Sequence, residues 1–120
     1  VDWKSVAPAT IASGMFIAAL LLGSIISHSA TANLLVPIGM SLTASPDIAI
    51  SPAASAIFIA IGSSLAMALP ISTPPNAIAY ATGAVKTKDM ALTGVIFGLL
   101  GTLLFVFLAE PVWTWLGVKP

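Results

Sequence analysis

The chain has 120 residues, 58% of them hydrophobic and 7% charged, and its four basic and four acidic groups cancel. Soluble domains carry about 25% charged residues, so a soluble fold is excluded, and a neutral chain offers no electrostatic footprint for nucleic acid. Cysteine is absent, which removes disulfides and thiolate metal sites.

Residues 1–9 contain Trp3, Lys4 and Pro8 and read as an interfacial lead-in, because Trp and Lys suit the headgroup level and Pro suits a first helical turn. The chain starts Val1-Asp2 without Met and lacks the basic stretch and small-residue cleavage site of a signal peptide. The start suggests a fragment or a processed chain, and because 120 residues supply only two or three crossings the chain is expected to be the last part of a larger protein.

Residues 10–46 read as a re-entrant hairpin with its tip at 27–31. Ile11–Ile26 is apolar for about 16 residues, short of the roughly 20 that a crossing needs, and Ala32–Leu42 is shorter still. Between them lies Ser27-His28-Ser29-Ala30-Thr31, and Ser45-Pro46-Asp47 closes the unit with turn chemistry. Two undersized arms around a polar tip enter and leave by the same membrane face.

Residues 51–85 read as a broken transmembrane helix. Ser51 caps it, Pro52 opens it, and it runs to about Leu69. The break is placed at 70–76, where Ser72-Thr73-Pro74-Pro75-Asn76 interrupts an apolar run. Two adjacent prolines remove backbone donors and clash with the preceding turn. Ala77–Val85 is the second half. In lipid the freed backbone groups must face protein or line a polar cavity, so the break marks a ligand site.

Lys86-Thr87-Lys88-Asp89 leads into residues 89–112, a continuous C-terminal transmembrane helix. Residues 113–120, with Trp113 and Trp115, form an interfacial tail. Lys86 and Lys88 mark a cytoplasmic loop, which places the hairpin mouth and Asp47 outside; Lys4 and Lys119 fall on that outer side and count against it. The fold class is thus all-α integral membrane: a re-entrant helical hairpin, one broken helix and one continuous C-terminal helix.

Each polar break falls near the centre of an apolar unit, so the two are expected at similar depth. Hydroxyls and a helix start there make an anion cradle, and free carbonyls suit a hard cation such as sodium. The plainer alternative is a kinked helix and a loop buried for packing. Between Ser5 and Pro46 the sole ionisable side chain is His28. It is either a structural, hydrogen-bonded imidazole or a functional group able to carry a coupled proton. Gly94 and Gly98 fit a small-xxx-small packing pattern, Thr93 and Thr102 are expected to bond their own helix, and Phe97, Phe105 and Phe107 face lipid or pack. No HExxH, Walker loop or Gly-x-Ser-x-Gly occurs, so nothing supports an enzyme.

Two stretches carry a family resemblance. Ser27-His28-Ser29-Ala30-Thr31-Ala32-Asn33-Leu34-Leu35-Val36-Pro37-Ile38 resembles the Ser-Asn-Thr hairpin signature of the divalent anion–sodium symporters, the INDY-like dicarboxylate, citrate and sulfate transporters. Leu69-Pro70-Ile71-Ser72-Thr73-Pro74-Pro75-Asn76-Ala77-Ile78 is similar to the Leu-Pro-x-x-Thr-Pro-Pro-Asn-Ala-Ile stretch that follows it there. Gly83 and Lys88-Asp89-Met90 also fit, so the resemblance covers nearly the whole chain.

The resemblance implies the C-terminal part of the second inverted repeat of a sodium-coupled, elevator-type anion transporter. Its partners are then the bilayer, a small anionic substrate and the first repeat, with a homodimer when complete. Its location is multi-pass in the cell membrane, in bacteria the inner membrane. By position, Ser29 and Thr73 offer hydroxyls to a substrate carboxylate, His28 stands where the family Asn touches substrate and sodium, and Pro74 lines the pocket. The sodium site uses His28 and backbone oxygens of Ile26 and Ser72. Three positions depart from the pattern: His28 replaces Asn, Ser29 replaces Thr, and Gly23 replaces a Thr four residues before the signature, where only Ser24 stands nearby. These imply a weakened sodium site and a role for His28 protonation. The rival readings are a small anchoring or pore-forming membrane subunit, or a truncated, nonfunctional transporter.

Overall fold

Prolines and hydroxyls set where the helices begin. The computed structural model describes residues 7–116, in five helices: α1 Pro8–Ile25, α2 His28–Thr43, α3 Pro52–Ser64, α4 Pro74–Ala81 and α5 Thr87–Leu116. No strand occurs among the described residues. The expected roles of Trp3 and Lys4, of the side chain of Trp113, and of Lys119 lie outside what is described.

Helices α1, α3 and α4 open on proline, whose missing N–H is one that a helix start leaves unbonded anyway. Ser27, Ser51 and Thr73 cap α2, α3 and α4. Their hydroxyl oxygens accept the N–H of Ala30, Ala54 and Asn76 at 3.2, 3.2 and 3.3 Å. Just past the end of α4, Gly83 has a φ of 75°, the left-handed conformation that suits a residue without Cβ.

Two helices are long and apolar enough to cross a membrane: α1, with mean hydropathy 1.8, and Thr87–Leu108 of α5, at 2.4. The arms around residues 26–27 are longer than the apolar runs suggest, at 18 and 16 residues. Polar residues extend them because their side chains settle their own hydrogen bonds. Thr43 shares its one hydroxyl proton between the Gly39 carbonyl at 2.8 Å and Ser55 Oγ at 3.1 Å, tying α2 to α3.

The helix interruption also lies earlier than the expected 70–76. Helix α3 stops at Ser64, residues 65–73 are not helical, and Pro74, Pro75 and Asn76 belong to the first turn of α4. Adjacent prolines block only the turn before them. Upstream, Pro70 forces Leu69 out of the helical region, and Leu69-Pro70-Ile71-Ser72 closes as a turn with Ser72 N–H donating to Leu69 O at 3.0 Å.

Helix α3 packs against both α1 and α2, and α5 against α1. Within lipid, apolar side chains gain little by leaving the solvent, so close backbone approach decides packing. At Gly62 of α3 any Cβ would run into the Phe16 carbonyl of α1. Phe16 stacks on Phe105 of α5 with ring centroids 4.4 Å apart, and Phe105 meets Phe58 of α3 edge-on at 5.1 Å. Each pair contributes about 0.5–1.5 kcal/mol beyond burial. Phe105 is thus a packing residue, whereas Phe97 and Phe107 are exposed. Thr93 and Thr102 bond back to the carbonyls of Asp89 and Gly98 at 2.8 and 2.7 Å, as helical threonines commonly do.

Candidate functional site

The two polar interruptions meet directly. At the start of α2 the His28 N–H has no partner inside its own helix, and it donates to the Ser72 carbonyl at 3.3 Å. In return the Ser72 hydroxyl donates to the Ser24 carbonyl, in the last turn of α1, at 2.9 Å. The same oxygen accepts the Leu69 N–H at 3.2 Å. Ser72 has 0% of its surface exposed. Through its hydroxyl and its carbonyl, this one residue joins the end of α1, the start of α2 and the loop between α3 and α4.

Ser72 keeps its hydroxyl inward because the loop is held from the other side. The Asn76 amide, from the first turn of α4, donates to the carbonyls of Met67 and Leu69 at 3.0 and 3.4 Å. Those are carbonyls that the unwound segment frees, and in an apolar surrounding each unmet one is costly. Asn76 belongs to the recognisable stretch, yet the sequence alone assigns it no role. Its signal, an amide one turn into a helix after a break, becomes readable only once the break is seen to start at Leu65.

Small residues bring the elements this close. A Cβ on Gly23 would stand 2.7 Å from the Ala66 Cβ and 3.6 Å from the His28 Cα. A Cβ on Gly94 of α5 would strike the Ala68 backbone. Of the anticipated packing pair, Gly94 therefore seats the loop, while a Cβ on Gly98 would stand 3.5 Å from the Leu20 side chain of α1. The Ser24 hydroxyl turns back to the Leu20 carbonyl at 2.9 Å, and the Ser24 carbonyl is what reaches the loop.

The anticipated site residues divide by placement. His28 and Ser72 are joined by a hydrogen bond, and Thr73 and Pro74 follow Ser72 directly. Thr73 is half-buried, and its oxygen accepts the Asn76 N–H, which leaves its own proton to donate. Ser29 and Pro74 are exposed, and no hydrogen bond links Ser29 to Thr73 among the described residues. Ile26 caps α1, is 45% exposed, and gives its N–H to the Leu22 carbonyl at 3.0 Å. His28 is half-buried with its Nδ1 fully enclosed.

No three His, Cys, Asp or Glu side chains gather among the described residues. A cation bound here would therefore rest on hydroxyls, backbone carbonyls and the imidazole. That donor set suits a weakly held alkali ion better than a transition metal. An anion would meet hydroxyls and the amide-rich starts of α2 and α4.

Known proteins match most of the chain. The family model described as the sodium:sulfate symporter transmembrane region matches residues 5–119. An uncharacterized transporter of Haemophilus influenzae is 35% identical over 105 residues, which are 83% of this chain and 22% of that protein. The Na(+)/citrate cotransporter of Rattus norvegicus is 41% identical over 87 residues, 72% of this chain and 15% of the relative. The sodium-dependent dicarboxylate transporter of Staphylococcus saprophyticus is 34% identical over 113 residues, 91% of this chain and 21% of the relative. The chain thus spans between 15% and 22% of the length of these relatives.

Proposed function

Because the chain belongs to the sodium:sulfate symporter family, we propose that it supplies half of the substrate site of a membrane transporter that moves a small divalent anion together with sodium. The observation that carries this reading is the bonded junction of Ser24, His28 and Ser72, which couples two polar helix interruptions within an otherwise apolar chain.

In this reading α1 and α2 form a re-entrant hairpin. Their lengths, about 27 and 24 Å, exceed half of a ~30 Å hydrocarbon layer. A tip at mid-depth therefore pushes the mouth roughly 10 Å beyond the hydrocarbon, where Ser45-Pro46-Asp47 suit water. Helices α3 and α4, about 20 and 12 Å long, together match one crossing. Ser29 and Thr73 hydroxyls receive the anion, Pro74 borders it, and sodium sits on the His28 side with carbonyls of Ile26 and Ser72. The first repeat, contributed by the remainder of the transporter, completes the site. Elevator-type movement then carries the junction across the membrane as one block, which fits its internal bonding.

Gly23 supports the weakened-sodium reading, since Ala66 leaves no room there for a ligating side chain. The test is uptake of labelled succinate, citrate and sulfate by the intact protein in vesicles, with and without sodium. Sodium-stimulated uptake of at least one anion, abolished by Thr73→Val and reduced by Ser29→Ala, is expected. Uptake indifferent to both substitutions contradicts the assignment.

A further inference from the structure

We propose that Thr31 is the positioning residue of His28: its hydroxyl oxygen accepts a hydrogen bond from the imidazole Nδ1–H, so that Nε2, as an acceptor, is the nitrogen His28 presents at the tip. The proposal rests on the reading of His28 as a group of the transport site.

His28 Nδ1 and Thr31 Oγ1 are buried, and among the described residues they are the two enclosed side-chain polar atoms without a hydrogen-bond partner. Thr31 is 0% exposed. Enclosed polar atoms in folded proteins are nearly always bonded, and exceptions call for a cause. The usual way out for a helical hydroxyl is a bond to its own backbone. Ser24, Thr43, Ser63, Ser64, Thr93 and Thr102 all take it. Thr31 does not, although the Ser27 carbonyl four residues back already receives the Thr31 N–H at 3.0 Å and lies within reach.

The two atoms belong together by position. His28 and Thr31 are three residues apart in the first turn of α2, so they share a helical face with Cβ atoms about 5–6 Å apart. The pairing requires a change of rotamer in which the Thr31 hydroxyl gives its own proton to the Ser27 carbonyl, as the other helical hydroxyls do, and is left as an acceptor for Nδ1–H. A neutral imidazole carries one donor and one acceptor nitrogen, so giving Nδ1 a fixed acceptor makes Nε2 the acceptor. An acceptor at Nε2 suits a cation or a hydroxyl donor and repels a bare carboxylate. Thr31 thus assigns His28 to the cation side, and leaves the anion to the hydroxyls of Ser29 and Thr73.

The experiment is nitrogen NMR of the intact protein carrying 15N-histidine, with the His28 signals identified by their loss in His28→Asn. The Nδ1–H tautomer is expected to dominate in the wild type and in Thr31→Ser, and to lose its preference in Thr31→Val. The sodium half-saturation of uptake rises roughly tenfold in Thr31→Val, as for loss of a group that orients a metal ligand, and returns in Thr31→Ser. A wild-type tautomer ratio and half-saturation in Thr31→Val overturn the proposal. Should Thr31→Val fail to fold, Thr31→Cys, of nearly equal size and weaker as acceptor, is expected to give an intermediate ratio; a wild-type ratio there overturns it. If Thr31→Val is silent while Thr73→Val abolishes uptake, only the positioning role fails. If both are silent, the reading of the site itself fails.

Discussion

The hydroxyl of Ser72 donates to the backbone carbonyl of Ser24 at 2.9 Å across 48 positions of sequence. This contact spans the two polar interruptions, and it is made from a fully buried side chain that also accepts the Leu69 N–H. Ser72→Ala strands a carbonyl and an amide, at a cost of about 2 kcal/mol or more. The purified intact protein is expected to melt several degrees lower, and its uptake to fall together with its stability. An unchanged melting temperature contradicts the role given to Ser72.

Asn76 holds the loop through its amide nitrogen, which distinguishes two substitutions. Asn76→Asp replaces the donor with an oxygen aimed at the carbonyls of Met67 and Leu69, whereas Asn76→Ala only removes it. The Asp variant is expected to transport less well than the Ala variant. Proteolysis and thiol labelling of cysteines placed at 67–71 measure whether the loop has loosened in the same order. Equal behaviour of the two variants argues against an amide-specific role.

The contact between Gly23 and Ala66 predicts a compensating pair. Gly23→Ala places a Cβ 2.7 Å from that of Ala66, and overpacking of this kind costs about 1–3 kcal/mol. Ala66→Gly removes the opposing atom, so the double variant is expected to regain stability lost in Gly23→Ala alone. Thermal unfolding of the three variants reads this as a non-additive cycle.

In the proposed site, the His28 imidazole takes a place where sodium would be served better by an amide oxygen. His28→Asn is expected to strengthen the sodium dependence of uptake and to remove any uptake driven by an inward proton gradient. Parallel assays with imposed sodium and proton gradients check this. Identical gradient responses in wild type and variant contradict a part for His28 in coupling.

Much of this arrangement is legible in the residues, and the misses have physical causes. The pairing of two polar segments follows from hydroxyls and prolines set in apolar surroundings, where unmet backbone groups are costly and must find partners. The extent of the break is not legible, because Pro74 and Pro75 serve as the first turn of α4 and the unwinding is upstream, around Leu65 to Ser72. Its position also depends on Gly94 of a distant helix receiving Ala68, which no local pattern announces. The hairpin arms look short in sequence because polar residues such as Thr43 resemble helix ends, whereas a threonine can bond its own helix and remain inside it. Ser24 stands out for its hydroxyl, but its carbonyl makes the contact, and every residue type carries one.

The central claim is that the tip at Ser29 and the loop at Thr73 line one substrate site. Substrate protection of single cysteines tests it most directly, with Ser29→Cys, Thr73→Cys and, as a control on the exposed face of α5, Ile96→Cys, each in an otherwise cysteine-free intact protein. The account predicts that one and the same anion slows alkylation at positions 29 and 73 in the presence of sodium and leaves position 96 unaffected. Protection of neither position, or of only one of the two by every anion tested, contradicts it.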